Sequence, residues 1–135
     1  ISGVLVTPMA GEGTELILGA RSDPVMGASV MVGLGGVFVE VLRDVALRLA
    51  PVGTQEARAM IDALKGAALL KGARGRPPAD LDAAAEAIAR LSAYAALNEG
   101  RFESIEINPL LVRPQGGGAV ALDALIVPAG GAAPS

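Results

Sequence analysis

Histidine, cysteine and tryptophan are all absent from these 135 residues. Without cysteine there is neither a disulfide nor a thiolate metal site. Without histidine the chain lacks the commonest general base and a ready phosphoryl acceptor. Chemistry is left to carboxylates, amides, backbone N–H groups, lysine and arginine. Aromatics are scarce as well, one tyrosine and two phenylalanines. The core must therefore be aliphatic, and base stacking is excluded as a main mode of recognition. Neither sign of charge dominates: eleven basic residues against fourteen acidic give a net charge of −3, which argues against a nucleic-acid surface. No run reaches the ~20 apolar residues of a membrane span. The best candidate, residues 28–39, is interrupted by Gly33, Gly35 and Gly36.

What remains is one domain's worth of chain, 52% hydrophobic and rich in alanine, long enough to bury a core. It opens at Ile1 with no methionine and no basic leader. That start predicts no signal peptide and reads as a piece of a longer protein. Residues 1–127 are expected to form the folded lobe. The tail 128–135, PAGGAAPS, is expected to be flexible.

Residues 2–9 and 14–22 read as strands joined by the turn AGEG, and 28–34 as a third strand ending in GLGG. Residues 37–42 fit either a strand or a helical turn, and DVALRLAPV (44–52) alternates as a fourth strand. The apolar period then changes. Thr54 is the expected N-cap of a helix carrying Ala57, Met60, Ile61 and Leu64 on one face, with Gly66 as its stop. After a basic loop, KGARGRPP (71–78), Asp80 caps a second helix with Leu81, Ala85, Ile88, Leu91 and Ala95 on one face. It ends at Asn98-Glu99-Gly100. No internal repeat is visible.

Two further stretches, IEINPLLV (105–112) and ALDALIV (121–127), look like buried strands. The glycine-rich link RPQGGGAV between them predicts an antiparallel hairpin. With a loop of Pro114 to Gly117, Arg113 faces Gly118 and, carried along the ladder, Asn108 faces Asp123. Directly paired side chains share a face with Cβ atoms roughly 4.5–5.5 Å apart. Glu106 joins them because strand side chains alternate. A slip of one residue would scatter all three.

Glu106 and Asn108 also fit an ordinary solvent-facing polar row. Asp123 stands alone among apolar neighbours, where a carboxylate is costly unless it meets water, a donor or a cation. Asparagine and aspartate oxygens are hard ligands that suit Mg²⁺, which takes one or two protein oxygens and leaves the rest to phosphates and water. The sharper reading is therefore a magnesium–phosphate site. GLGG (33–36) fits either a phosphate loop or a glycine bend, and matches neither GxxxxGK[ST] nor GxGxxG. Glu15 is either a ligand or the outward side of a strand. Arg74 and Arg76 either meet an anion or lie in a solvated loop.

The blocks VLVTPMAGEGTELILGARSDPVMG, GLGGVFVEVLRDVALRLAPV, LLKGARGRPPADL and IEINPLLV…ALDALIV together resemble the ATP-grasp domain of acyl-CoA synthetases (NDP-forming). These are relatives of the succinyl-CoA synthetase β subunit. The resemblance covers residue 3 to about 127. It implies an α+β fold: an ATP-grasp C-terminal lobe, a mostly antiparallel sheet with two helices packed on one face. It also implies binding of ATP or ADP (or another NTP/NDP) and Mg²⁺. Asn108 and Asp123 match the metal ligands, Glu106 the catalytic acid beside the phosphoryl group and its histidine carrier, and Glu15 a nucleotide contact. Val6 to Ala10 match the hinge that grips adenine through its backbone, although Thr7 stands where relatives often carry an acid. The implied partners are an N-terminal ATP-grasp lobe and CoA-binding/CoA-ligase domains, in a cytoplasmic enzyme, with no nucleic acid or membrane. The competing implication is a regulatory ATP-grasp-like module of a protein acyltransferase.

Overall fold

The computed structural model describes residues 13–35, 44–72 and 78–129. The expected strand 2–9, the ambiguous 37–42, the hinge residues Val6 and Ala10, and the loop arginines Arg74 and Arg76 all lie outside them.

The described chain is α+β. Strands β1 (Thr14–Asp23), β2 (Gly27–Leu34) and β3 (Val45–Leu49) come first. Helices α1 (Thr54–Asp62), α2 (Ala67–Leu70) and α3 (Leu81–Leu97) follow. Strands β4 (Phe102–Val112), β5 (Ala119–Ala121) and β6 (Ala124–Pro128) close the order. Every strand pairing is antiparallel, in the order β3-β2-β1-β4-β5, and β6 pairs with β4 alongside β5.

Period-two alternation sets which side of this sheet is dry. Leu16, Leu18 and Ala20 of β1 and Ala28, Val30 and Val32 of β2 point to one face and are buried. Against them pack Ala57, Met60 and Ile61 of α1 and Ala84, Ala85, Ile88, Leu91 and Ala95 of α3. A helix can cover only one side of a sheet, so Glu15, Ile17, Gly19 and Arg21 are left on the open face.

Capping differs in part from the sequence expectation. Gly53, not Thr54, is the N-cap of α1, and no side chain caps it. The helix stops at Asp62, before Gly66. Gly66 serves a tight approach instead: a Cβ there would collide with Leu34 Cδ1. The buried Asp44 carboxylate accepts from Lys65 N (2.6 Å) and Gly66 N (2.7 Å), tying the entry of β3 to the turn before α2. Neither α2 nor this tie was legible from the periodicity.

Asp80 caps α3 as expected, accepting from Ala83 N at 3.2 Å. Its other oxygen accepts from Gly118 N at 2.8 Å, so the same carboxylate holds the β4–β5 loop. Ser92, buried in mid-helix, donates to Val52 O and accepts from Val52 N. At the β1–β2 turn the N–H groups of Met26 and Val25 bond Asp23 and hold its carboxyl below the ordinary carboxylate value.

Candidate functional site

The site is built on β4, and the β4–β5 loop fixes its register. Arg113 N donates to Gly118 O at 2.9 Å, and Leu110, Leu111 and Val112 face Ala121, Val120 and Ala119. The same ladder runs through the break between β5 and β6. Asn108 N donates to Asp123 O at 3.2 Å, and Glu106 faces Leu125. Asn108 thus lies opposite Asp123, the pairing read from the loop length.

A bulge on the other edge of β4 decides which face these groups take. Leu18 of β1 faces Ile107, while Leu16 faces Leu110. Asn108 and Pro109 therefore stand against the single residue Ile17. An extra residue in one strand reverses the alternation beyond it. Glu106 and Asn108 point to the open face, whereas Leu110 and Val112, which unbroken alternation would put beside them, turn into the core.

Glu106, Asn108 and Asp123 line one shallow depression of about 210 Å³ with Ala124 and Leu125. Asn108 Nδ2 donates to Glu106 Oε2 at 3.4 Å, which orients the amide and leaves its Oδ1 for another partner. Asp123 Oδ1 accepts from Ala124 N at 2.9 Å, leaving Oδ2 open. All three residues are exposed. This corrects the sequence reading of a buried strand at 121–127, whereas Ile105 and Leu110 to Val112 of the other stretch are buried. Asp123 is open to solvent, so burial gives it no need of a cation. Strand β6 is exposed as well, with Leu125 at 61% and Ile126 at 54%.

Glu15 shares the open face but not the depression; it faces Leu111, toward the other end of β1. The first two glycines of GLGG that fall among the described residues have packing roles. A Cβ on Gly33 would come to 2.9 Å from Val45 Cγ1, and one on Gly35 to 3.0 Å from the Glu15 backbone oxygen. Close strand approach accounts for both.

A second hollow of about 240 Å³, missed from the sequence, adjoins the first and shares Glu106. Ile17, Met31 and Leu47 give it apolar walls, and Arg21, Ser29 and Ser104 its polar groups. The signal was available: in TELILGAR, Gly19 and Arg21 alternate in phase with Glu15.

An antiparallel sheet covered on one side by helices, with two carboxylates and an amide gathered on its bare side, can present hard oxygens to a cation from an open face. The sequence pattern of the ATP-grasp domain matches residues 1–127, and the chain belongs to that family. Among curated relatives, it is 40% identical over 127 residues to the β subunit of acetate–CoA ligase [ADP-forming] II of Pyrococcus furiosus, covering 94% of this chain and 54% of that one. It is 41% identical over 126 residues to 4-hydroxybutyrate–CoA ligase [ADP-forming] of Nitrosopumilus maritimus, covering 93% of this chain and 18% of that one. Among solved structures, one from Pyrococcus horikoshii Ot3 superposes with a TM-score of 0.81 at 38% identity, over 87% of this chain and 49% of the other. The dinucleotide-forming acetyl-coenzyme A synthetase 1 of Ca. Korarchaeum cryptofilum matches with a TM-score of 0.77 at 42% identity, over 84% of this chain and 52% of its own. That structure holds coenzyme A and Mg-AMPPCP, with its phosphohistidine segment pointing towards the nucleotide binding site. The chain spans about half the length of the β-subunit relative and under a fifth of the ligase from Nitrosopumilus.

Proposed function

We propose that this chain is the nucleotide- and Mg²⁺-binding half of an acyl-CoA synthetase (NDP-forming). The whole enzyme would interconvert acyl-CoA, NDP and phosphate with acid, CoA and NTP through a phosphohistidine carried elsewhere. The observation that carries the reading is the convergence of Glu106, Asn108 and Asp123 in one depression on the open face. The names of the relatives support it, as does the absence of histidine here.

The donor set fits a magnesium ion bound together with phosphates. Asn108 Oδ1 and Asp123 Oδ2 are hard oxygens on directly paired residues, and both are free of other protein partners among the described residues. Among those residues no cluster of three or more histidine, cysteine, aspartate or glutamate side chains could enclose a metal alone. A cation here would complete its shell with phosphate oxygens and water, as Mg²⁺ commonly does. When bound, it would neutralise charge on the phosphates during transfer. Asn108 and Asp123 would position the terminal phosphate, and Glu106 would flank the phosphoryl group next to the incoming imidazole. Glu15, with the hinge from Val6 to Ala10, would hold the nucleoside.

The partners required are an N-terminal ATP-grasp lobe, which closes the cleft over the open face, and the CoA-binding and CoA-ligase domains that bear the histidine. The same reading puts the parent enzyme in the cytoplasm. Because the chain has only one face of the cleft and no histidine, the isolated 135-residue protein is expected to turn over neither ATP nor acyl-CoA. Turnover by the purified chain above a blank, abolished in Asn108→Ala, would contradict this division of labour.

A further inference from the structure

Gly19 sits in the middle of β1, where glycine weakens a strand relative to alanine. Among the described residues, the other glycines within strands have a reason in the fold. Gly27 has φ +89°, and Gly33 leaves no room for a Cβ beside Val45. Gly19 has neither constraint. A Cβ there would meet only Met31 Cε at 3.5 Å and the Ile105 carbonyl oxygen at 3.7 Å, ordinary contacts. Glycine in a strand often marks the place where a ligand or another backbone comes close. Gly19 pairs directly with Glu106 and lines the second hollow, which Glu106 borders and Asn108 does not.

We propose that Gly19 is the bare floor on which the phosphoryl-carrying imidazole of the partner segment docks. This rests on the reading given under Proposed function and adds where the carrier lies and what admits it. The chemistry of the hollow suits that occupant. A flat ring over Gly19 finds apolar walls in Ile17, Met31 and Leu47, and Arg21 offers positive charge to a phosphoryl group. Arg21 takes part in none of the ion pairs among the described residues. The chain has no imidazole of its own, so the ring must arrive from outside. In the step served, the N–P bond breaks with its electron pair returning to the ring nitrogen. A terminal phosphate oxygen of the NDP, held beside Asn108 and Asp123, forms the new P–O bond.

The test uses the full-length synthetase carrying Gly19→Ala or Gly19→Leu. The histidine is charged from acetyl-CoA and labelled phosphate, and the rate of label transfer to ADP is then followed. Charging should be unchanged, and affinity for Mg-AMPPCP should stay within about twofold of wild type, since neither event uses the floor. Transfer should slow by about tenfold with alanine and about 100-fold with leucine, the scale of a displacement of roughly 1 Å from the reactive geometry. Gly19→Ala should melt no lower than wild type; a fall of more than about 5 °C would make the glycine structural and overturn the proposal. Wild-type transfer in Gly19→Leu would overturn it too. So would a parallel loss of Mg-AMPPCP binding, which would assign the hollow to the nucleotide. Asn108→Ala, measured alongside, separates the two readings. Impaired transfer there with normal transfer in Gly19→Leu removes only the docking floor, whereas normal transfer in Asn108→Ala removes the site itself.

Discussion

Asp123→Asn in the full-length enzyme is expected to slow phosphoryl transfer between nucleotide and carrier on the order of 100-fold, while the protein melts at an unchanged temperature. That magnitude is what removing one preorganised charge-stabilising contact costs. The fold should be indifferent because Asp123 is exposed and asparagine can still accept the Ala124 N–H. Losing one negative charge opposite the cation weakens its hold, so raised Mg²⁺ should restore part of the rate. On the proposed reading, formation of acyl phosphate and CoA from acyl-CoA and phosphate belongs to the partner domains and should proceed normally. Full activity in Asp123→Asn would instead favour the regulatory module of an acyltransferase.

The second large effect concerns stability. Ile61 of α1 and Ile88 of α3 are both fully buried in one aliphatic cluster with the sheet. Ile61→Ala or Ile88→Ala leaves a cavity in that cluster and should cost about 2–5 kcal/mol in denaturant unfolding. A loss below about 1 kcal/mol at both positions would contradict a single core shared by helices and strands.

Hydrophobic periodicity carried most of this fold, because a helix or strand with one wet side writes its period into the chain. The apolar faces of α1 and α3 and the alternation of β1 are legible for that reason. The pairing of Asn108 with Asp123 was legible because a short glycine-rich loop leaves little choice of register. The bulge at Asn108-Pro109 was not, since it exists only against Ile17 of a strand about 90 residues earlier in the chain. Burial was misjudged at residues 121–127. A run of apolar side chains reads as buried from composition, yet whether a helix covers it depends on where the sheet ends. The tie from Asp44 to the turn at Lys65 and Gly66, and that from Ser92 to Val52, link distant segments and leave no local pattern. Gly19 was visible as a letter, but its lack of a packing reason appears only once its neighbours are in place.

The most direct measurement is a crystal structure of the full-length protein with Mg²⁺ and a non-hydrolysable nucleotide. Asn108 Oδ1 and an Asp123 carboxylate oxygen should both lie on the cation, at about 2.0–2.1 Å, with phosphate oxygens and water completing an octahedron. Glu106 should stand beside the terminal phosphate without ligating the metal. A cation bound to the nucleotide with neither Asn108 nor Asp123 in its coordination shell would show that this pair is not the metal site.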